Sequence, residues 1–467
     1  VAYKRLVNLI QTLFNPKKNP SPPPLLTMRP STIKLPSPIQ LPAKHIPRAQ
    51  HSVSRKNISK NAVKVLYQLH QSGYQAFLVG GGIRDTLLGL KPKDFDVATN
   101  ASPEQVRQVF RNCRLIGRRF LLAHVHFGQE IIEVATFRKQ HDESGDGVIE
   151  NGCIIRDNVY GTIDEDACRR DFTINALYYD IADFSLLDYA NGLDDLHAKI
   201  IRLIGNPAER YQEDPVRMLR AVRLAAKLGF EIEPETAKPI HQFSHLLENT
   251  HAARLYEEVL KMFLSGHAYP SFLKLREFGL FKFLFPQTEA CFDDPCALAL
   301  VEQALKNTDA RVAADKPITP AFLFAALLWF PILRLIPEFR DRGLSEQDCL
   351  VSAIDKVINR QVRHISIPRR ITILSHEIWL LQPRLTRPKT KRSLRIMTHP
   401  RFRAGYDFLC LRAQAGEKVE DSAQWWTKIQ EMDEGERQRF LETVPNPRAH
   451  RNNRRRKKKK PESPQEN

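Results

Sequence analysis

Asp94 and Asp96 are separated by one phenylalanine, and they follow closely on Gly80, Gly81 and Gly82 in the stretch LVGGGIRDTLLGLKPKDFDVATN, residues 78–100. Alternate side chains of a strand share a face, so the two carboxylates project together while Phe95 and Val97 turn to the core. Carboxylates at that spacing repel and raise each other's pKa, and a divalent cation removes the conflict. Mg²⁺ prefers carboxylate oxygens together with substrate phosphates and keeps several waters. Two such ions, about 3.5–4 Å apart, clamp the attacking and leaving oxygens of an in-line phosphoryl displacement. Three residues without side chains let a phosphate approach backbone N–H groups at the mouth of a helix, with Arg84 in its first turn. The pattern implies a nucleoside triphosphate site in which glycines hold the phosphates and aspartates hold the metals.

Local signals supply the elements that must position these groups. Ser59 caps a helix that runs to Gly73, QAFLVG is a strand entering the glycines, GIRDTLLGL is a short helix and DFDVAT a second strand. Ser102 and Pro103 open another helix. LLAHVHF and EIIEVATF form two strands turning at Gly128 and Gln129, and ESGDGVIENG is a mobile loop. Beyond about residue 205 the strand signals fade and helical periodicity takes over. The fold class is α+β, with a mixed α/β head followed by all-α neck and body domains. The boundaries are a disordered proline-rich leader over 1–50, a catalytic head over 51–205, a helical neck over 206–345, an arginine-rich helical body over 346–440 and a basic disordered tail over 441–467.

The chain of 467 residues carries a formal net charge of +18 and a pI near 9.6, which suits a polyanionic partner. Twelve Lys/Arg against one acid, Glu377, lie between Arg360 and Arg403, and nine Lys/Arg with no acid lie between Arg448 and Lys460. Blocks of like charge repel themselves and act as interaction tails. The most apolar run, Ala321–Phe330, is followed by Pro331 and is too short to cross a bilayer, so it reads as a buried helix. Seven cysteines, of which only Cys291 and Cys296 lie close together, form no zinc pattern and read as reduced thiols of a cytoplasmic protein. Whether the basic N-terminus touches a membrane surface stays open.

Gly81-Gly82, eleven residues, then Asp94-Phe95-Asp96 resembles the signature of the DNA polymerase beta nucleotidyltransferase superfamily. RRDFTINAL (169–177) and EDPVRMLRAVR (213–223) resemble two further motifs of its class II branch, which holds bacterial poly(A) polymerases and CCA-adding enzymes. The resemblance implies a third metal carboxylate, Glu133, beside Asp94 and Asp96, and an active carboxylate at Asp171. Without a catalytic role, Asp171 would be in an ion pair with Arg169 or Arg170. Gly81, Gly82, Arg84, Arg138, Arg169 and Arg170 are the candidate phosphate and sugar contacts. Asn175, Arg220 and Arg223, inside the two motifs, join Asp214 and Arg217 as candidate nucleotide contacts.

Asp214 and Arg217 admit two readings: a helix cap with a salt bridge, or a base reader. A carboxylate only accepts hydrogen bonds and a guanidinium only donates them. Such a pair accepts adenine or cytosine and rejects guanine and uracil, so the motif alone does not separate the two activities of the branch. LIGRRFLLAHV (115–125) resembles the segment that marks the poly(A) polymerases; Arg118 and Arg119 either constrain the pocket or guide the primer, or belong to a basic surface loop. His124 and His126 read as ordinary strand histidines, and Trp425 and Trp426 as packing of a C-terminal helix. The expected reaction is template-independent addition of AMP from ATP to RNA 3′ ends, promoting RNA turnover, with two Mg²⁺ ions or Mn²⁺ in their place. The partners are ATP and RNA held by its backbone; no DNA is expected and no protein partner is indicated. A CCA-adding tRNA nucleotidyltransferase is the alternative enzyme, distinguished by product sequence. A non-catalytic RNA-binding protein is the alternative of another class, distinguished by an incorporation assay with ATP.

Overall fold

The computed structural model describes residues 43–117, 121–139, 149–150, 153–154, 159–387 and 391–443. Arg118, Arg119, most of the ESGDGVIENG loop, the leader up to residue 42 and the basic tail beyond residue 443 lie outside them; residues 441–443, expected as disordered tail, are the end of a helix.

Strand β1 (Lys44–Ile46) lies within the segment expected as leader. Chain order continues with β2 (Ala76–Val79), β3 (Asp96–Thr99), β4 (Cys113–Ile116), β5 (Leu122–Phe127) and β6 (Glu130–Thr136). A short pair follows, β7 (Ile149–Glu150) with β8 (Cys153–Ile154), then β9 (Leu177–Asp180) and β10 (Leu186–Asp188). Among the described residues, eight of these form one mixed sheet in the order β1-β10-β9-β2-β3-β6-β5-β4. The β3–β6 pair is parallel and the other neighbours are antiparallel. Residues 44–50 of the expected leader are therefore part of the fold, and Ile46 and Val53 are buried in the core at this edge.

Local rules account for the surrounding helices. In α1 (Lys60–Gln71) the Ser59 hydroxyl accepts the N–H of Asn61, and the chain leaves through Gly73 at φ +85°. Its apolar stripe of Ala62, Val65, Leu66 and Leu69 is buried in the core that includes sheet residues. The next helix, α2 (Gly81–Leu87), follows the glycine turn, and α3 (Pro103–Val109) opens on a capping box of Ser102 and Gln105. The β5–β6 hairpin turns at Gly128, φ +63°, and Gln129, as the sequence indicates.

The strand expected over DFDVAT begins only at Asp96. Val79 is the last residue of β2 and pairs with Asp96, and Gly80 then leaves the sheet at φ +75°, so Asp94 and Phe95 have no β2 residue beside them. Their backbone instead approaches Gly82, where a Cβ would sit 3.0 Å from the Asp94 carbonyl oxygen.

Two short helices flank the β9–β10 pair. The first, α4 (Ile163–Arg169), precedes a 3₁₀ turn, Thr173–Asn175, and the second, α5 (Gly192–Ala198), follows β10. Asp188 accepts the N–H groups of Gly192 and Leu193, both at 2.9 Å, and ties down the start of α5. A Cβ on Gly192 would lie 2.1 Å from the carbonyl oxygen of Thr173. We expect Gly192→Ala to force the two segments apart, destabilising the protein by about 3 kcal/mol or more, with a matching fall in the thermal midpoint. An unchanged melting curve would show that the turn yields freely.

A last parallel pair, β11 (Ile200–Ile201) with β12 (Glu231–Ile232), is threaded by α6 (Pro207–Glu213) and α7 (Val216–Leu228). From there α8 (Pro234–Phe243), α9 (Ala252–Phe263) and further helices continue to residue 443. The apolar run at Ala321–Phe330 is buried, as expected, but Pro331 does not end it. The helix spans Pro320–Asp341, 22 residues, and is long and apolar enough by length and composition to cross a membrane, although most of that apolar stretch is inside the protein. Proline withholds one helix hydrogen bond; here the carbonyl of Leu327 accepts from the Thr288 hydroxyl instead, at 2.8 Å. Trp426 is buried and donates to the Leu385 carbonyl at 2.9 Å, which confirms a packing role for it.

Candidate active site

The glycine turn and the carboxylates meet. Gly80, at φ +75° and ψ −144°, occupies backbone space open to glycine, and a Cβ there would lie 3.6 Å from Asp96 Oδ2. Gly82 permits the close approach of the Asp94 backbone. Parallel pairing sets Glu133 of β6 directly beside Asp96 of β3, on the same face. Asp94 is exposed and Asp96 half-buried. Burial, then the charges of Glu133 and Asp94, push the Asp96 carboxyl up to about 6, against a smaller opposing effect of Arg170. Among the described residues no three metal-ligating side chains already converge as a cage. An open set of carboxylates that strains against its own charge is nevertheless the donor chemistry a hard divalent cation completes, because such an ion takes its remaining ligands from water and phosphate. The donor types, carboxylate oxygens, suit such an ion. His124, one strand further out, points its Nε2 at Glu133 Oε1, 3.6 Å away.

The arginine motif is organised by carboxylates that the sequence did not single out. Asp166 of α4 accepts from Arg170 at 2.9 Å, from the Tyr178 hydroxyl at 2.8 Å and from the backbone N–H of Arg138. Arg169 donates to the Lys139 carbonyl at 3.0 Å. Arg84 is 4% exposed. It donates to Asp85 from Nε at 2.8 Å and to Asn175 from Nη1 at 2.6 Å, so Asn175 steadies an arginine.

Asp171 does not form the ion pair with Arg169 or Arg170 that its non-catalytic reading offered. Its partners are Arg217, at 3.0 Å from Nε, and Arg220, both on α7. These guanidiniums overcome the effect of burial and hold the Asp171 carboxyl down at about 2. Arg217 is also bound to Glu213 at 2.8 Å and to the Arg210 carbonyl at 2.7 Å. Asp214 caps α7 by accepting the Val216 N–H at 3.2 Å, as one of its two readings requires, but its salt bridge is with Arg254 of α9, at 2.7 Å. Arg223 holds Glu258 of α9 at 3.0 Å. The basic stripe at positions 217, 220, 223 and 227 is a signal that helical spacing could have given. Its carboxylate partners, Asp171, Glu258 and Asp85, lie too far along the chain for any local rule to find them.

The fold, a mixed sheet continued by helices, is similar to that of the CCA-adding enzyme of Bacillus stearothermophilus in complex with CTP. Its crystal structure is 26% identical, covers 79% of this chain and 80% of its own, and superposes with a TM-score of 0.53. The fold and site thus define a nucleotidyltransferase. Residues 76–202 match the family model described as the poly A polymerase head domain, 229–292 the probable RNA and SrmB-binding site of polymerase A, and 342–460 the polymerase A arginine-rich C-terminus. Poly(A) polymerase I of Salmonella typhimurium is 50% identical over 420 residues, 87% of this chain and 90% of the relative. That of Escherichia coli O6:H1 is 52% identical over 397 residues, 82% and 85% of the two chains. The chain belongs to the poly(A) polymerase I family. It is a polynucleotide adenylyltransferase that extends RNA with AMP from ATP, and the CCA-adding enzymes are its distant relatives. Nucleotidyltransferases of this type use divalent metals.

Proposed function

We propose that Asp94, Asp96 and Glu133 hold two Mg²⁺ ions, with Mn²⁺ as a substitute, and that the glycine turn and Arg84 receive the triphosphate of ATP. The observation that carries this reading is geometric: Glu133 stands in register beside Asp96, and the glycine turn closes against Asp96 Oδ2 at Gly80. Held by Asp94, Asp96 and Glu133, such ions would supply Lewis-acid activation of the RNA 3′-hydroxyl and charge to offset the leaving pyrophosphate. The 3′-oxygen forms its bond to the α-phosphorus, the bond to pyrophosphate breaks, and the hydroxyl proton passes to solvent. Arg138, Arg169 and Arg170 add positive charge along the arginine motif for phosphate and sugar. Asp171 acts through Arg217 and Arg220, which it orients. Asp214 and Arg217, fixed by Arg254 and by Glu213, read the amino group and ring nitrogen of adenine. The division into head, neck and body at residues 205 and 345, and a cytoplasmic setting, belong to the same reading.

Extension of an oligo(A) primer by each nucleotide separately is the test. Addition of AMP alone, lost on chelation and restored by Mg²⁺, is expected; equal use of GTP or UTP would overturn the assignment of Asp214 and Arg217 as base readers, since that pair rejects guanine and uracil but not cytosine. RNA is held by phosphate contacts along the arginine-rich C-terminal half. Removing residues 445–467, which carry the nine basic residues between Arg448 and Lys460, should raise KM for RNA and leave KM for ATP unchanged. The salt dependence should become shallower by roughly 0.7 in log–log slope for each RNA phosphate that the tail would otherwise neutralise. Parallel salt plots for the two proteins would exclude the tail from RNA binding.

A further inference from the structure

Arg84 lies at the glycine turn, its Nη2 3.4 Å from the position a Cβ on Gly81 would take. It does not stand there as a lone cation. Asp85, 6% exposed, is hydrogen-bonded to it from the next position in the chain. An arginine so closely paired with a buried carboxylate is a dipole of no net charge, and a dipole attracts a triphosphate far less than a cation does. The charge is restored from elsewhere. Lys227, 142 residues along and near the end of α7, places its Nζ 2.8 Å from Asp85 Oδ2. Arg84, Asp85 and Lys227 together carry one net positive charge.

We propose that Lys227 is a positioning residue for the triphosphate: by neutralising Asp85 it leaves the charge of Arg84 for phosphate while Asp85 and Asn175 fix the guanidinium at the glycine turn. The proposal rests on the assignment of Gly81 and Arg84 to the triphosphate. It adds that α7 serves the nucleotide at both ends. Asp214 and Arg217 sit at its start, and Lys227, three turns on, sets the charge of the phosphate loop. Neither end of the helix can shift without disturbing the other. Lys227 and Asp85 differ in this from an ordinary structural ion pair, in which only stability depends on the charges.

The test is binding of inorganic tripolyphosphate to the full chain by titration calorimetry, with KM for ATP measured alongside. Lys227→Met should weaken tripolyphosphate binding by about tenfold and raise KM for ATP, with the choice among ATP, CTP, GTP and UTP unchanged. The double variant Asp85→Asn with Lys227→Met has the same net charge as the native trio and no uncompensated buried carboxylate, so its affinity should return to within about threefold. A merely structural role predicts no such recovery. If the double variant melts below the native protein, the comparison is read from Lys227→Arg, which keeps the charge and must keep the affinity. Native affinity in Lys227→Met, or a well-folded double variant as weak as the single one, would overturn the proposal. Arg84→Met separates the two levels: if it binds tripolyphosphate normally, the phosphate assignment itself fails; if it does not and Lys227→Met does, only the role of Lys227 fails.

Discussion

Asp96→Asn should lose AMP addition by about a thousandfold or more while the metal-free protein becomes more stable. The two effects share one cause. Without a cation, the ionised Asp96 carboxylate is held in a half-buried place beside Glu133 and Asp94, and its pKa rises from 3.8 to about 6. A raised carboxyl costs stability once it ionises: the cost is absent below the unfolded value near 4, grows between about 4 and 6, and is complete above. At neutral pH it amounts to about 3 kcal/mol. The amide keeps the shape and removes the charge, so the thermal midpoint should rise by a few degrees in the presence of chelator. Adding Mg²⁺ should then stabilise the native protein strongly and the variant weakly, because a ligand stabilises only the state that binds it. A variant that melts lower than the native protein in chelator would show that Asp96 is not under strain.

Asp171→Asn should act in the opposite sense. Its carboxylate, 21% exposed, is the shared counter-charge of Arg217, 11% exposed, and Arg220. Without it Arg217 keeps Glu213 and Arg220 keeps Glu258 at 3.6 Å, so the cost should fall somewhat below the figure of about 3–5 kcal/mol for a buried pair left wholly uncompensated. The pH dependence gives an independent check. A carboxyl held down at about 2 contributes stability that is present above 4 and lost as pH falls from 4 towards 2. The native protein should therefore lose about 2 kcal/mol more over that interval than the variant does. Activity should fall as well, through disordered base selection, with misincorporation rising before turnover disappears. Equal acid limbs in the two unfolding profiles would remove Asp171 from this role.

The sequence disclosed what short-range rules govern. Ser59, the Ser102–Pro103 pair and Gly128 mark their elements because caps and tight turns are decided within four residues. Asp94, Asp96 and the glycines announce a phosphate-and-metal chemistry for the same reason, and the resemblance to known motifs added Glu133. Missed were the three-residue strand β1, too short for any periodicity, and the start of β3, which depends on where its neighbour Gly80 leaves the sheet. The partners of the arginines were also missed. Asp171 finds Arg217 and Arg220 at separations of 46 and 49 residues, Asp214 finds Arg254 at 40, and Asp85 finds Lys227 at 142. Charge at helical spacing indicates that a face is basic; only the packed chain decides which carboxylate meets it.

The parallel pairing of β3 with β6 has a consequence for how chain length can vary in such proteins. Glu133 reaches Asp96 because Glu130–Thr136 runs in fixed register beside Asp96–Thr99. A side chain changes face with every residue of slip. Inserting or deleting one residue before Glu133 within β6 would carry the third carboxylate to the opposite side of the sheet, whereas α3 and the turn into β4 lie outside that pairing and can lengthen without moving it. Homologous chains should thus differ in length between Asn100 and Arg111 far more readily than between Glu130 and Glu133, and a single-residue deletion there should silence the enzyme even if it folds.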